Sequence, residues 1–354
     1  MRSLLLVLAL LGPPGGADTK PSPATPFLEK GSQLFKQGDV PGALREFEAG
    51  AKADPSDARP HYLRGVALEK KGDLAGAEAA YRAAIAHKAD FAEAHNNLGS
   101  LLQGKGDIPA AARELEAAVK AKPTYPEAHF NLGVVYDAAG RGPEAVAAYR
   151  EAVKQKPAEP SYRMNLGVAL RRQGDVDGAT ASLKEAARLA PKDALVWTNL
   201  GMVQSDKKAY DDAAAALDRA TKLKPDYALA WNRLGRVEMR RGHLPQAAQA
   251  AERARKLDGK NSEFAADLCR VLIEQQETAR AVTECRAAVT LDPKNRLARY
   301  ELGKALVAKG DCADARKELD KFGALPGVKP EAKAQADAIA KSCKPEGPSK
   351  KPKH

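Results

Sequence analysis

AEAHNNLGSLLQGKGDIPAAARELEAAVKAKPTY, residues 92–125, and PEAHFNLGVVYDAAGRGPEAVAAYREAVKQKPAE, residues 126–159, are two copies of one pattern. Aligned without a gap they share E-A-H-x-N-L-G, then an alanine twelve residues past the glycine (Ala111, Ala145) and another seven further on (Ala118, Ala152). A proline stands near each end (Pro123, Pro157). Working outward, Gly31, Gly65, Gly99, Gly133, Gly167, Gly201 and Gly235 lie 34 residues apart; Gly303 lies two periods further, and Cys269 takes the place between. The alanine twelve residues on recurs in every copy, from Ala43 to Ala315. A fixed period of this length is the mark of a repeat architecture and outranks any local reading.

The spacing has a physical reason. Gly in a first helix and Ala at two places in a second remove side chains where two antiparallel helices cross, so their axes approach toward the low end of roughly 8–10 Å. Leu and Tyr at helical spacing fill the seam beside that contact. Gly72-Asp73, Gly106-Asp107 and Gly174-Asp175 close one helix with a left-handed residue and open the next with a capping carboxylate. The late proline ends the second helix because it cannot continue it.

This pattern resembles the tetratricopeptide-repeat consensus, a helix–turn–helix of 34 residues with small residues at fixed places. The resemblance implies an all-α, right-handed superhelix of nine units over 24–329: 24–57, 58–91, 92–125, 126–159, 160–193, 194–227, 228–261, 262–295 and 296–329. Residues 330–343, PEAKAQADAIAKSC, read as an amphipathic helix capping the C-terminal end, and 344–354 as a basic, disordered tail. Such proteins bind other proteins in the groove lined by their first helices and carry no chemistry of their own.

Composition agrees. Hydrophobic residues make up 44% of the 354-residue chain but aromatics only 5%, which suits many thin helix contacts better than one thick core. The net charge of +11, from 57 basic and 46 acidic residues, is intermixed as on solvated helix faces, apart from the tail lysines. Residues 1–17, MRSLLLVLALLGPPGGA, have the parts of a secretory signal: Arg2, the apolar run Leu4–Leu11, then Pro13-Pro14 and the small residues before a cut after Ala17. The run falls well short of the ~20 residues that cross a bilayer, and no later segment spans one. Residues 18–26 are a Pro-rich linker. The chain is therefore expected to be exported, and periplasmic if its source is a Gram-negative bacterium.

His61, His95 and His129 recur at the repeat spacing, in the place that Trp197 and Trp231 hold later. Successive copies are too far apart to share an ion, so this place is expected to be packing. No phosphate loop, nucleophile elbow or metal-spaced cluster occurs, and neither enzyme activity, cofactor nor metal is expected. Cys269 and Cys285 face each other across the hairpin of the eighth unit, which lacks both its Gly and its Gly-Asp turn; Cys312 and Cys343 fall at one edge of the stack. An even count in an exported chain favours two disulfides, with buried free thiols as the alternative.

Two places before the repeat glycine stand Asn97, Asn131, Asn165 and Asn199, with Asn232 among the groove candidates of the next unit. The row resembles the asparagine ladder in the repeat domain of O-linked N-acetylglucosamine transferase, which implies amides that hold the backbone of an extended peptide; the alternative is a stacking role. Phe130, Met164 and Met202, with Val134 and Val168, add an apolar strip, and Arg171, Arg172, Arg236, Arg240, Arg270 and Lys304 a basic stretch. The groove is thus expected to favour an extended or helical segment with acidic residues toward one end. The Lys and Asn, one turn apart on a first helix, that chaperone-tail clamps need are absent. The expected function is an exported scaffold or adaptor, for instance in envelope assembly. The other readings are a substrate-recruiting subunit of an envelope enzyme, and a polyanion or nucleic-acid binder using the basic groove and tail.

Overall fold

The computed structural model describes residues 22–344; the predicted leader, the linker up to Pro21 and the tail beyond Lys344 lie outside them. Among the described residues are nineteen α-helices and no strand. The chain forms two compact bodies, the first ending at Gly174 and the second beginning at Asp175.

The first body holds α1 (Thr25–Gln37), α2 (Val40–Ala53), α3 (Ala58–Lys71), α4 (Leu74–His87), α5 (Ala92–Gly104), α6 (Ile108–Ala121), α7 (Pro126–Ala138), α8 (Gly142–Gln155) and α9 (Pro160–Arg172). Consecutive helices pair as α1/α2, α3/α4, α5/α6 and α7/α8. Within a pair the turn is written in two residues. Gly72 and Gly106 take φ of +88° and +84°, which a side chain resists, and Asp73 and Asp107 then accept from the backbone N–H of Gly76 (2.8 Å) and Ala110 (3.1 Å). These bonds satisfy donors that a helix start leaves open.

The crossing itself is a glycine against a large side chain sixteen residues later. A Cβ at Gly65 would fall 2.5 Å from Tyr81 Cε1, at Gly99 2.6 Å from Leu115 Cγ, and at Gly133 2.6 Å from Tyr149 Cδ1. Tyr81, Leu115 and Tyr149 are all fully buried. Ala77, Ala111 and Ala145 are fully buried beside them, small enough to let the axes close.

The second body holds α10 (Val176–Leu189), α11 (Ala194–Asp206), α12 (Tyr210–Leu223), α13 (Ala228–Arg240), α14 (Leu244–Leu257), α15 (Ser262–Glu274), α16 (Thr278–Leu291), α17 (Arg296–Lys309), α18 (Cys312–Gly323) and α19 (Pro330–Ser342). The same crossing recurs at Gly201 with Leu217 and at Gly303 with Leu319. In α15/α16 it is replaced: Cys269 stands in the glycine place, Cys285 sixteen residues on, and the two are disulfide-bonded with Cα atoms 5.3 Å apart. A second bridge joins Cys312, the first residue of α18, to Cys343 just past α19, Cα atoms 5.5 Å apart. Helix α19 covers Leu319 and Phe322 with Ala336 and Ala340, flanked by Tyr300, Val328 and Ile339.

Two turns lack the glycine and keep its conformation. Lys208 and Gln276 hold φ of +63° and +61°, where an L side chain costs roughly 1–2 kcal/mol. Gln276→Gly is expected to raise the stability of the second body by about 0.5–1 kcal/mol in urea unfolding, the remainder going to the greater freedom of the unfolded glycine. A loss of stability would show that Gln276's side-chain contacts outweigh the backbone term.

Candidate functional site

In the first body the first helices of successive pairs lie side by side, and their polar side chains, joined by Tyr81 of α4, form one directed chain of hydrogen bonds. Tyr81 Oη donates to Glu69 Oε2 at 2.8 Å. That hydroxyl oxygen must therefore accept from Asn97 Nδ2 (3.4 Å), which also donates to Tyr62 Oη at 3.2 Å. With its NH₂ fixed, Asn97 presents Oδ1 to Asn96 Nδ2 (3.1 Å), and Asn96 Oδ1 accepts from Asn131 Nδ2 at 2.9 Å. Asn131 Nδ2 also donates to Ser100 Oγ at 3.1 Å. The Glu69 carboxylate, an acceptor only when ionised, thus sets the orientation of three amides from helices α5 and α7.

Glu69, Asn96, Asn97, Ser100 and Asn131 line a cavity of about 240 Å³ together with Tyr62, Tyr125, Phe130 and Tyr162. Phe130 is stacked on Tyr162 with centroids 4.7 Å apart and tilted against Tyr149 at 5.8 Å. Tyr125 is only 4% exposed, and its hydroxyl has no hydrogen-bond partner among the described residues. Burial holds the phenols of Tyr62, Tyr81 and Tyr125 well above the usual tyrosine range, so all three stay protonated.

The remaining members of the predicted amide row behave differently. Asn165 Nδ2 bonds to Ser161 O of its own helix at 2.8 Å, and Asn199 Nδ2 to Leu195 O at 3.0 Å. In each, one N–H of the amide is spent on a carbonyl one turn back. Asn232 does not belong to the row: it is 1% exposed and donates to Asp267 Oδ2 at 2.9 Å. It stands in the place of buried Asn96, one residue before the groove place, which Arg233 occupies. A side chain inside that contact cannot reach a ligand.

The predicted basic stretch is largely matched by carboxylates. Arg236 lies 3.2 Å from Glu263 and 3.9 Å from Asp267, Arg270 3.7 Å from Asp267, and Lys304 3.0 Å from Glu301. Asp267 is 2% exposed, a depth at which a carboxylate needs such cations. In the first body, Arg172 faces Asp137 at 3.4 Å and Arg171 is half-buried. Arg240 is exposed, while Met164 and Met202 are half-buried on their first helices.

The histidine place has a rule that sequence reading missed. His129 Nε2 donates to Pro123 O (2.9 Å), Arg163 Nε to Pro157 O (2.7 Å), Trp197 Nε1 to Pro191 O (3.1 Å), Trp231 Nε1 to Pro225 O (3.0 Å) and Arg299 Nε to Pro293 O (2.7 Å). Each ties a first helix to the carbonyl six residues earlier, so the place selects for a reachable N–H rather than for one residue type. His95 does the same toward Ala89 O (3.0 Å) while Nδ1 meets Glu114 at 2.6 Å.

The Glu114 hydrogen bond raises the His95 pKa above 6.5; burial opposes it, and the Ala89 carbonyl adds to the rise. The stabilisation from this pair is therefore complete below pH 6.5 and is lost as pH climbs through the raised native value. His61, stacked on His87 at 4.8 Å, is shifted downward chiefly by burial, so its contribution has the opposite sign. The difference between wild type and His95→Gln in urea midpoints isolates the pair: it is expected to shrink from pH 6.5 upward. A difference independent of pH would mean that the contact is not an ion pair.

Among the described residues no group of three or more His, Cys, Asp or Glu could hold a metal ion, and no helix is long and apolar enough to cross a membrane.

A family model described as the C-terminal domain of cilia and flagella-associated protein 70 matches residues 124–339, and two tetratricopeptide-repeat models match residues 28–95 and 104–140. Among solved structures, the APC/C hetero-tetramer Cut9–Hcn1 is similar at a TM-score of 0.56 and 18% identity, over 79% of this chain and 55% of that one. PilF of Pseudomonas aeruginosa is similar at a TM-score of 0.51 and 21% identity, over 57% of this chain and 92% of that one. At these identities the likeness is one of fold. No curated protein matches the chain.

Proposed function

The chain belongs to the tetratricopeptide-repeat family, and from that premise we propose an exported interaction scaffold that holds an extended or helical segment of a partner protein and performs no chemistry itself. The observation that carries the reading is the cavity of the first body, where Asn97 and Asn131 meet Tyr62, Phe130 and Tyr162 on one face of the first helices. Aromatic walls with a few fixed polar groups are what a peptide side chain and its backbone require. Export is supported by the two disulfides, which persist in oxidising compartments. The partner class we propose is a component of an envelope assembly.

Photo-crosslinking residues introduced at Ser100, in the cavity lining, at Val134, one turn past Phe130, and at exposed Arg113 on α6 test the reading. Capture of a partner from the first two positions and not from Arg113 is the expected result. Capture from Arg113 alone would move the interface to the second helices and end this proposal.

A further inference from the structure

The geometry points to a cationic side chain, arginine above all, as the part of the partner segment that enters this cavity. The inference rests on the groove reading and sharpens its chemistry. It reverses the expectation of an acidic ligand, which came from the arginine stretch now found largely paired.

The argument is one of unspent hydrogen-bonding capacity. Most amide donors in the cavity are committed inside the protein: both N–H groups of Asn97 Nδ2 to tyrosine hydroxyls, one of Asn96 Nδ2 to Asn97, and both of Asn131 Nδ2 to Asn96 and Ser100. Ser100 Oγ donates to Asn96 O at 2.9 Å. Because the Glu69 carboxylate fixes the direction of the chain, the amides cannot flip without breaking it. What remains at the amides is chiefly acceptor capacity: the bonds of Asn131 use its Nδ2 and leave Oδ1, and Asn97 Oδ1 keeps a second lone pair; beside them the hydroxyls of Tyr62 and Tyr125 can donate or accept.

Charge agrees with that count. Among the described residues, the only ionisable groups lining the cavity, apart from its tyrosines, are the carboxylates Glu69 and Glu127, and no Lys or Arg lines it. Glu127 is partly offset by Lys156 from outside the cavity, which leaves Glu69 with the phenol of Tyr81 as its partner. The walls are aromatic faces, which attract a desolvated cation, arginine more than lysine. The unpartnered hydroxyl of Tyr125, buried at the cavity wall, is a further oxygen that a guanidinium could engage. A guanidinium brings five donors and no acceptor, which matches the amide and carboxylate oxygens of this surface. At about 240 Å³ the cavity lies below the roughly 300–1,000 Å³ of drug-sized sites, which suits one side chain.

The test is a titration of the full chain with capped pentapeptides Ac-Ala-Ala-X-Ala-Ala-NH₂, X being arginine, citrulline or glutamate, followed on the side-chain amide resonances of Asn97 and Asn131. Citrulline keeps the shape and loses the charge. Arginine is expected to bind at least about tenfold tighter than citrulline, and glutamate not to shift these resonances. Glu69→Gln, whose carboxamide oxygen can still accept from Tyr81, is expected to erase most of the arginine preference. Equal binding of arginine and citrulline, a preference for glutamate, or no shift with any peptide overturns the inference. Free arginine amide that binds as tightly as the peptide also overturns it, by marking a small-molecule site. Crosslinks from Ser100 and Val134 to a segment without a cation would sink this inference and leave the groove reading standing; failure of those crosslinks would sink the reading.

Discussion

Gly133→Leu is expected to destabilise the first body by about 3 kcal/mol in urea unfolding. The added Cβ would sit 2.6 Å from two ring carbons of Tyr149, closer than real side chains approach, before the rest of the leucine is placed. Tyr149 has nowhere to go: it is 1% exposed, bonded through its hydroxyl to Asp137 and packed on Phe130. Helices α7 and α8 must separate, or the ring must leave, and either path strands buried surface. Because Phe130 and Asn131 stand three and two residues before the glycine, the same change is expected to disturb the candidate site. Gly104→Ala supplies the control. Nothing lies within 4 Å of a Cβ there, and the exchange is expected to be neutral or to stabilise by up to about 1 kcal/mol. Equal effects at the two glycines would mean that the crossing does not depend on the missing side chain.

That contrast also marks where the sequence was readable. A glycine that recurs with a partner sixteen residues on announces itself by period, because a close crossing tolerates no other solution. The helix pairs, their turns at Gly72-Asp73 and Gly106-Asp107, and the facing of Cys269 with Cys285 all follow from spacing alone. The candidate site was readable only in part. The repeat set Asn97, Asn131, Asn165 and Asn199 in one row, but the amides of the last two turn back onto their own helices. Residue type at a place does not say which way an amide points. Asn232 failed for a simpler reason, a shift of one residue, which in a helix is about 100° of rotation and turned it from groove to contact.

The arginines misled in another way. Arg236 looked free because its partners, Glu263 and Asp267, sit on α15 at separations no local window pairs with it, whereas the pairing of Arg270 with Asp267, three residues earlier on its own helix, was within local reach. The i−6 tether is the opposite case, a rule hidden by variety. His129, Arg163, Trp197 and Arg299 share nothing except an N–H at the right reach. Burial and charge balance are properties of neighbouring helices, so a reading along one helix overstated the groove's positive charge and missed the carboxylate end of its hydrogen-bond chain.

The two disulfides are expected to respond to reductant in sequence, and the order tests what each one holds. Cys269 and Cys285 are fully buried, whereas Cys312 and Cys343 are half-buried at a helix edge. Mild reduction followed by alkylation and intact mass is therefore expected to give a species with two labels, both on Cys312 and Cys343, before the four-label species appears in denaturant. Opening that bridge frees α19, which has only Ala336 and Ala340 fully covered. Faster amide exchange in 330–342 and new access to Phe322 are the expected signs.

The inner bridge replaces a packing pair, and its loss is expected to cost about 3 kcal/mol for a loop of its length. Cys269→Ala/Cys285→Ala removes the bond and leaves a void, so it is expected to show that loss in full. Cys269→Gly/Cys285→Leu instead restores the pair used at Gly99 with Leu115 and Gly201 with Leu217, and is expected to recover much of it without any covalent bond. If the alanine variant is as stable as the oxidised protein, the bridge contributes nothing. If the Gly/Leu variant is no better than the alanine one, the cysteines do not stand at the repeat's crossing point. Recovery would mean that this unit exchanged close packing for a covalent tie at the same place, and that its stability depends on an oxidising compartment in a way the other units' does not.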